Sequence, residues 1–242
     1  MRDWLTARPI AHRGLHDASA GVIENTASAF VAAVGAGYGI ECDIQVSADG
    51  EAMVYHDDAL GRLTDGSGPL AATPAAALKR VALKATADRM ITLGELCDLV
   101  AGRVTLVIEI KSRFDGDLRL ALRAAAVLAS YRGAAALMSF DPEPVAAVRH
   151  SGPALARGLV GMRREPSAPA AKVSVARFAR QALAAGPQFL AYRVADLTDA
   201  PPLIARHVLR LPLLTWTVRT EGEREHASRH ADQMIFEGFR PT

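Results

Sequence analysis

One pattern repeats along this chain and sharply narrows its possible folds: a short run rich in Val, Ile and Leu, then an Ala-, Leu- and Arg-rich stretch of helical length. The apolar runs fall at 9–11, 39–46, 52–55, 104–110, 135–140, 156–160, 188–192, 211–218 and 233–236. The helical stretches lie at 26–36, 74–83, 93–101, 117–130, 142–150, 171–185, 201–207 and 221–230. Strands alternating with helices call for a parallel sheet whose connections cross over on its faces. About eight such units suggest closure into an α/β fold of the (β/α)₈ or TIM barrel type, with an open doubly wound sheet as the alternative. Several helix starts carry their own signals. Thr92 with Glu95 makes a capping box, and Thr73-Pro74 and Asp141-Pro142 put proline at the first helical position.

Nine strand runs are one too many for eight units, and connection length singles out the extra one. Residues 47–51 are too few for a parallel crossover, while Asp49-Gly50 is a hairpin signal. The segment 52–56 is therefore expected antiparallel to 39–46, as an added hairpin strand. A turn centred near Asp49 pairs residues whose numbers sum to about 98, which brings His56 abreast of Glu41 to Asp43. Residues 61–73, with Gly61, Gly66, Gly68 and Pro69, read as a loop or small insertion after the second strand, and 166–169 as a shorter loop.

At 242 residues, half of them hydrophobic and 22% charged, the chain is globular and expected to form one barrel domain over 1–242. Its 28 Lys and Arg are interspersed with 26 Asp and Glu, without the clustered basic footprint of a nucleic-acid binder. The longest stretch free of Asp, Glu, Lys and Arg is the 16 residues between Glu24 and Glu41, which include Asn25, Ser28 and three glycines. A membrane span needs about 20 apolar residues, so no stable membrane insertion is expected. The N-terminal residues carry an early acid and reach Pro9 before any apolar stretch, unlike a secretory signal, and a cytoplasmic location is expected. Cys42 and Cys97 fit neither a disulfide framework nor a zinc spacing and read as free thiols.

The chemistry-bearing residues gather at strand ends. Glu41-Cys42-Asp43 alternates along a strand, so the two carboxylates share a face, with roughly 7 Å between their Cα atoms. Ile40, Ile44 and Val46 make that strand a buried one. A bare carboxylate pair there calls for a metal ion, a basic partner or proton uptake. Glu109 and Lys111 repeat the arrangement at the end of the next strong strand, where they either pair with each other or join the site. Polar residues at the carboxyl ends of barrel strands are where active sites are built. Glu41, Asp43 and Glu109 would make an all-oxygen site suited to one divalent cation, Mg²⁺ or Ca²⁺. His12 and His56 close two strands beside these acids and are candidates for a general acid and a general base. Arg13 offers a planar fork for phosphate and Lys111 a point charge, unless Arg13 pairs with an acid of the cluster. His16, His150, His207, His226 and His230 receive no role.

Eight ordered segments resemble those of the glycerophosphodiester phosphodiesterase family: Ile10-Ala-His-Arg-Gly, Glu24-Asn-Thr with Ala29-Phe30, Glu41-Cys-Asp-Ile, Ser47-Ala-Asp-Gly, Val54-Tyr-His-Asp, Ile91-Thr-Leu-Gly-Glu, Ile108-Glu-Ile-Lys and Trp216-Thr-Val. The likeness is dense over 9–111 and traceable to about 237. It implies a TIM barrel with a small insertion and a divalent-cation-dependent hydrolysis of a small-molecule glycerophosphodiester to glycerol 3-phosphate and an alcohol. By similarity His12 and His56 are the acid/base pair, Glu41, Asp43 and Glu109 the metal ligands, and Arg13 and Lys111 the phosphate contacts. Trp216 could pack against an apolar edge of the substrate or belong to the core. Two departures stand out: the family's Trp-Thr-Val-Asn reads Trp216-Thr-Val-Arg219, and its closing Thr-Asp-x-Pro reads Phe236-Glu-Gly-Phe239. Glu237 could stand in for the acid. A lysophospholipase-D-like activity and a non-catalytic phosphodiester-binding module are the alternatives. Arg163-Arg164 could reach an anionic headgroup or form a solvated basic loop.

Overall fold

The structure, a computed structural model, describes residues 3–163 and 174–241. The elements in chain order are β1 (Ile10–Ala11), α1 (Ala27–Ala36), β2 (Gly39–Val46), β3 (Ala52–Val54), β4 (Ala59–Leu60), β5 (Gly68–Pro69), α2 (Ala75–Leu78), α3 (Leu93–Val100), β6 (Leu106–Ile110) and α4 (Arg119–Leu128). They continue with β7 (Ala135–Ser139), α5 (Pro142–Ser151), β8 (Ala156–Gly161), α6 (Val175–Ala185), β9 (Phe189–Arg193), α7 (Ala200–Leu203), β10 (Leu213–Val218), α8 (Glu221–His230) and β11 (Gln233–Phe236). Eight strands run parallel in the order β1-β2-β6-β7-β8-β9-β10-β11. The ring closes because Ile10 pairs with both Gly39 and Ile235.

β3 is the added strand, antiparallel to β2 with Ile44 opposite Val54, Gln45 opposite Met53 and Val46 opposite Ala52. Each pair sums to 98, the register expected from a turn at Asp49. The insertion after β3 is more ordered than a loop: β4 and β5 form a short antiparallel ribbon. Beneath it Met53, Tyr55, Leu70, Leu78, Leu83 and Met90 make a small apolar cluster. That cluster explains why α2 stops at Leu78 although a helix is expected to 83. The chain turns so that Leu83 joins the cluster, while Ala82 bridges Arg89.

Two apolar layers follow from strand alternation. Ile40, Cys42 and Ile44 of β2 face outward, in the layer that holds Phe30 of α1, Leu96 of α3 and Leu120 of α4. Val107, Met138, Val160, Phe189, Leu214 and Ile235 fill the barrel interior, together with Leu5 from the N-terminal turn. Phe189 fits inside because its strand partner is Gly158, where a Cβ would come within 2.3 Å of the ring. The same alternation turns Glu41 and Asp43 inward. Of the expected helix at 171–185, residues 171–173 lie outside the described residues, as does the loop at 166–169; Ser174 caps α6 by accepting from the Arg177 amide.

Candidate active site

β2 and β6 lie side by side with Asp43 opposite Glu109. One carboxylate oxygen each from Glu41, Asp43 and Glu109 falls within 4.8 Å of the others. Glu41 and Asp43 are both about 1% exposed. Burial, reinforced by the charges of Asp43 and Glu109, pushes the Glu41 carboxyl well above its ordinary value. Burial also works against ionised Asp43, but Lys111 and Arg13 outweigh it and hold that carboxyl well below the usual range. The Lys111 ammonium lies 2.8 Å from Asp43 Oδ1 and 2.6 Å from Glu109 Oε1. One strongly anionic acid beside another that resists ionisation is an environment that a divalent cation would relieve. The donor set, all oxygen, fits Mg²⁺ or Ca²⁺.

The turn after β1 brings the next residues over this cluster. Gly14 sits at φ +82°, and a Cβ there would lie 2.9 Å from that of Ala29, so the chain can fold back against α1 only with glycine at this position. Arg13 and Asn25 also adopt positive φ, at 55° and 57°. The Arg13 amide donates to Glu41 Oε2 at 3.0 Å, and its Nη1 donates to Glu24 Oε1 at 2.7 Å. Its Nε lies 3.2 Å from Asp43 Oδ2 without the alignment of a hydrogen bond. Arg13 is therefore paired with acids of the cluster, yet keeps donor capacity. Asn25 is buried and clasps Asp43 twice: its Nδ2 donates to Oδ2 at 2.9 Å, and its Oδ1 accepts from the Asp43 amide at 3.2 Å.

Each histidine is held by its own carboxylate. His12 Nδ1 lies 2.7 Å from Glu237 Oε2, and its Nε2 lies 3.9 Å from Glu41 Oε2. The His12 hydrogen bond, aided by Arg219, draws the Glu237 carboxyl down to about 2. An ionised carboxylate only accepts, so the shared proton sits on Nδ1 of His12. Arg219 Nη2 donates to the same Glu237 oxygen at 2.9 Å. The two departures from the family pattern thus form one ion pair, behind His12. On the other side His56 Nδ1 lies 2.7 Å from Asp57 Oδ1, and Arg62 Nε donates to Asp57 Oδ2 at 2.6 Å. Arg62 also reaches Glu24 Oε1 at 2.7 Å, so an ionic chain runs Arg13, Glu24, Arg62, Asp57, His56.

Trp216 lines the same small cavity as His12, Glu41 and Glu109. Its indole N–H donates to the Ala191 carbonyl at 3.2 Å, and its ring meets Phe140 edge-on at 5.4 Å. A groove beside His56 and Lys111 is also lined by Ser112, Arg113 and Phe114. Arg163 turns away from any such role: it pairs with Asp199 at 2.6 Å and Asp196 at 3.6 Å. Arg164 lies outside the described residues. All eight candidates read from the sequence thus border one region at the carboxyl ends of the strands. The supporting residues Asn25, Arg62 and Asp57 were not among them, although Glu24-Asn25-Thr26 and His56-Asp57 contain two of the three.

The glycerophosphoryl diester phosphodiesterase family model matches residues 12–238, from the first of these histidines to just past Glu237. The chain belongs to that family. A curated relative, the glycerophosphodiester phosphodiesterase of Caldanaerobacter subterraneus subsp. tengcongensis, is 38% identical over 111 residues, a stretch covering 43% of this chain and 44% of the relative. Among solved structures, an Oleispira antarctica phosphodiesterase in complex with the product sn-glycerol-3-phosphate aligns at a TM-score of 0.79. It is 22% identical and covers 96% of this chain and 94% of its own. The glycerophosphodiester phosphodiesterase of Thermotoga maritima aligns at 0.73, 22% identical, covering 94% and 92%. At that identity the two structures speak for the family's barrel fold.

Proposed function

We propose that this protein hydrolyses glycerophosphodiesters to glycerol 3-phosphate and an alcohol, using one divalent cation and a histidine pair. The observation that carries the reading is the convergence, within a family member, of three inward carboxylates with two histidines, each held by its own acid. Glu41, Asp43 and Glu109 would hold Mg²⁺ or Ca²⁺, which when bound supplies positive charge for the oxygens of the phosphate. Arg13 and Lys111 bring fixed positive charge to the same phosphate. Glu237 keeps the His12 proton on Nδ1 and leaves Nε2 toward the cavity, and Asp57 does the same for His56. One imidazole takes a proton from the attacking hydroxyl or water at Nε2, while the other, entering as imidazolium, gives its Nε2 proton to the oxygen of the leaving alcohol. Trp216 offers an apolar wall to the glycerol carbons.

Family membership and the product bound by the Oleispira antarctica relative support this substrate class. No helix among the described residues is long and apolar enough to cross a membrane. The test is glycerol 3-phosphate release from glycerophosphocholine and glycerophosphoethanolamine with EDTA, Mg²⁺ or Ca²⁺, comparing wild type with His12→Ala and Glu41→Ala. Release that requires metal and is lost in both variants is expected. Release that persists in EDTA, or in either variant, would overturn the assignments.

A further inference from the structure

His16 lies in the turn after β1, four residues beyond His12, and takes no part in the reaction proposed above. One ligand atom each from His12, His16 and Glu237 falls within 4.8 Å of the others. This is a different donor set from the carboxylate cluster: two imidazoles and one carboxylate. The Nε2 of His16 is buried and has no hydrogen-bond partner among the described residues. A buried ring nitrogen left unpaired is costly, and native structures usually give such an atom a partner. Burial is the largest influence on the His16 ring and works against its charged form. Glu237 is ionised and already lies 2.7 Å from His12.

From this geometry we infer that His12, His16 and Glu237 form a second metal site, for a late first-row transition ion such as Zn²⁺, and that filling it switches the enzyme off. Imidazole nitrogen favours zinc, copper and nickel, whereas the all-oxygen cluster suits magnesium and calcium, so the two sites sort ions by chemistry. The inhibitory consequence rests on the role proposed for His12; the binding itself does not. Neutral imidazole has one N–H. An ion on Nδ1 takes the place of the proton shared with Glu237, and that one ring proton moves to Nε2. His12 then has no lone pair facing the cavity with which to accept a proton, and its Nε2–H, on a metal-bound neutral ring, is a far weaker acid than imidazolium, so it serves as neither base nor acid. Arg219, bonded to the same Glu237 oxygen, competes with the ion for it.

The experiment is isothermal titration of the purified full chain with Zn²⁺ in excess Mg²⁺, alongside zinc inhibition of glycerol 3-phosphate release. His226 and His230 stand four residues apart on α8 with ring centroids 4.6 Å apart and could also take zinc, so every protein carries His226→Ala. The expected result is one zinc site that weakens by more than about tenfold in His16→Ala, since losing even an outer-shell partner costs that much. His16→Gln and Glu237→Gln are expected to weaken it likewise, each checked for native folding by its melting curve. Inhibition by zinc is expected to need His16, while His16→Ala without zinc turns over as the parent does. Zinc binding that is absent, or equal in parent and His16→Ala, overturns the site. Binding that depends on His16 without inhibition overturns the switch. If the parent has no diesterase activity, the function proposed above fails while the titration still decides the site.

Discussion

Asn25 tests whether the carboxylate cluster is held by the turn after β1 or merely lies beneath it. Its Nδ2 donates to Asp43 Oδ2 at 2.9 Å, and its Oδ1 accepts from the Asp43 amide at 3.2 Å, with both residues buried. Asn25→Ala removes a hydrogen bond to a charged group, worth about 1.5–3 kcal/mol, and takes away the acceptor of a buried amide, a further 1–3 kcal/mol or so. Alanine at φ 57° adds up to about 1 kcal/mol, because it lacks the short polar side chain whose local hydrogen bonding lets Asn tolerate the left-handed region. Not all of these add in full, and the expected loss is about 3–5 kcal/mol. For a chain of this length that lowers the melting temperature by roughly 6–20 °C. Asn25→Gly removes the same hydrogen bonds without the Cβ strain and is expected to lose about 0.5–1 kcal/mol less, after its own entropic cost. Urea unfolding followed by circular dichroism measures both. The Mg²⁺ affinity of Asn25→Gly is expected to fall about 10–100-fold, because Asp43 is no longer oriented. A loss below about 1 kcal/mol in Asn25→Ala, with unchanged Mg²⁺ affinity, would refute the clasp.

Glu237→Gln leaves His12 without the carboxylate that fixes its proton and is expected to lower kcat about 100-fold with a small change in KM, read by steady-state kinetics. The carboxyl of Glu237 lies at about 2 in the folded chain against an ordinary 4.5, so its stabilising contribution is complete above pH 4.5 and fades as pH falls through 2. The stability difference between wild type and Glu237→Gln should accordingly shrink across that window in acid titrations of unfolding. Lys111→Met leaves Asp43 and Glu109 facing each other without their shared ammonium, and the metal-free protein is expected to lose about 3 kcal/mol, part of which Mg²⁺ restores, as seen in melts with EDTA and with Mg²⁺. Gly158→Ala drives a methyl into the Phe189 ring and is expected to destabilise by about 2–3 kcal/mol without abolishing the fold, again by urea unfolding.

The barrel was legible because its signals are local. Alternation set Glu41 and Asp43 on the inner face, and the short link at Asp49-Gly50 identified β3 and its register before any contact was known. Elements whose ends depend on packing were less so: α2 stops at Leu78 because Leu83 and Met90 are drawn into the cluster under the insertion. The candidate residues at strand ends were legible for the same reason of alternation, and the turn glycine Gly14 lies within the His-Arg-Gly motif. What holds those residues was not. Glu237 reaches His12 across 225 positions, and Arg219 reaches Glu237 only once β10 and β11 lie side by side. His16 looked like a loop histidine because no pattern in the sequence reveals that its Nε2 is buried without a partner.

The central claim is that this pocket breaks the phosphodiester bond on the alcohol side and leaves the phosphate on glycerol. Phosphorus NMR of glycerophosphocholine incubated with the protein and Mg²⁺ reads it directly. The account predicts that the diester resonance gives way to that of glycerol 3-phosphate, with free choline released in equal amount and neither formed in EDTA. Accumulation of phosphocholine with free glycerol, or an unchanged diester under Mg²⁺ and Ca²⁺ alike, would contradict it.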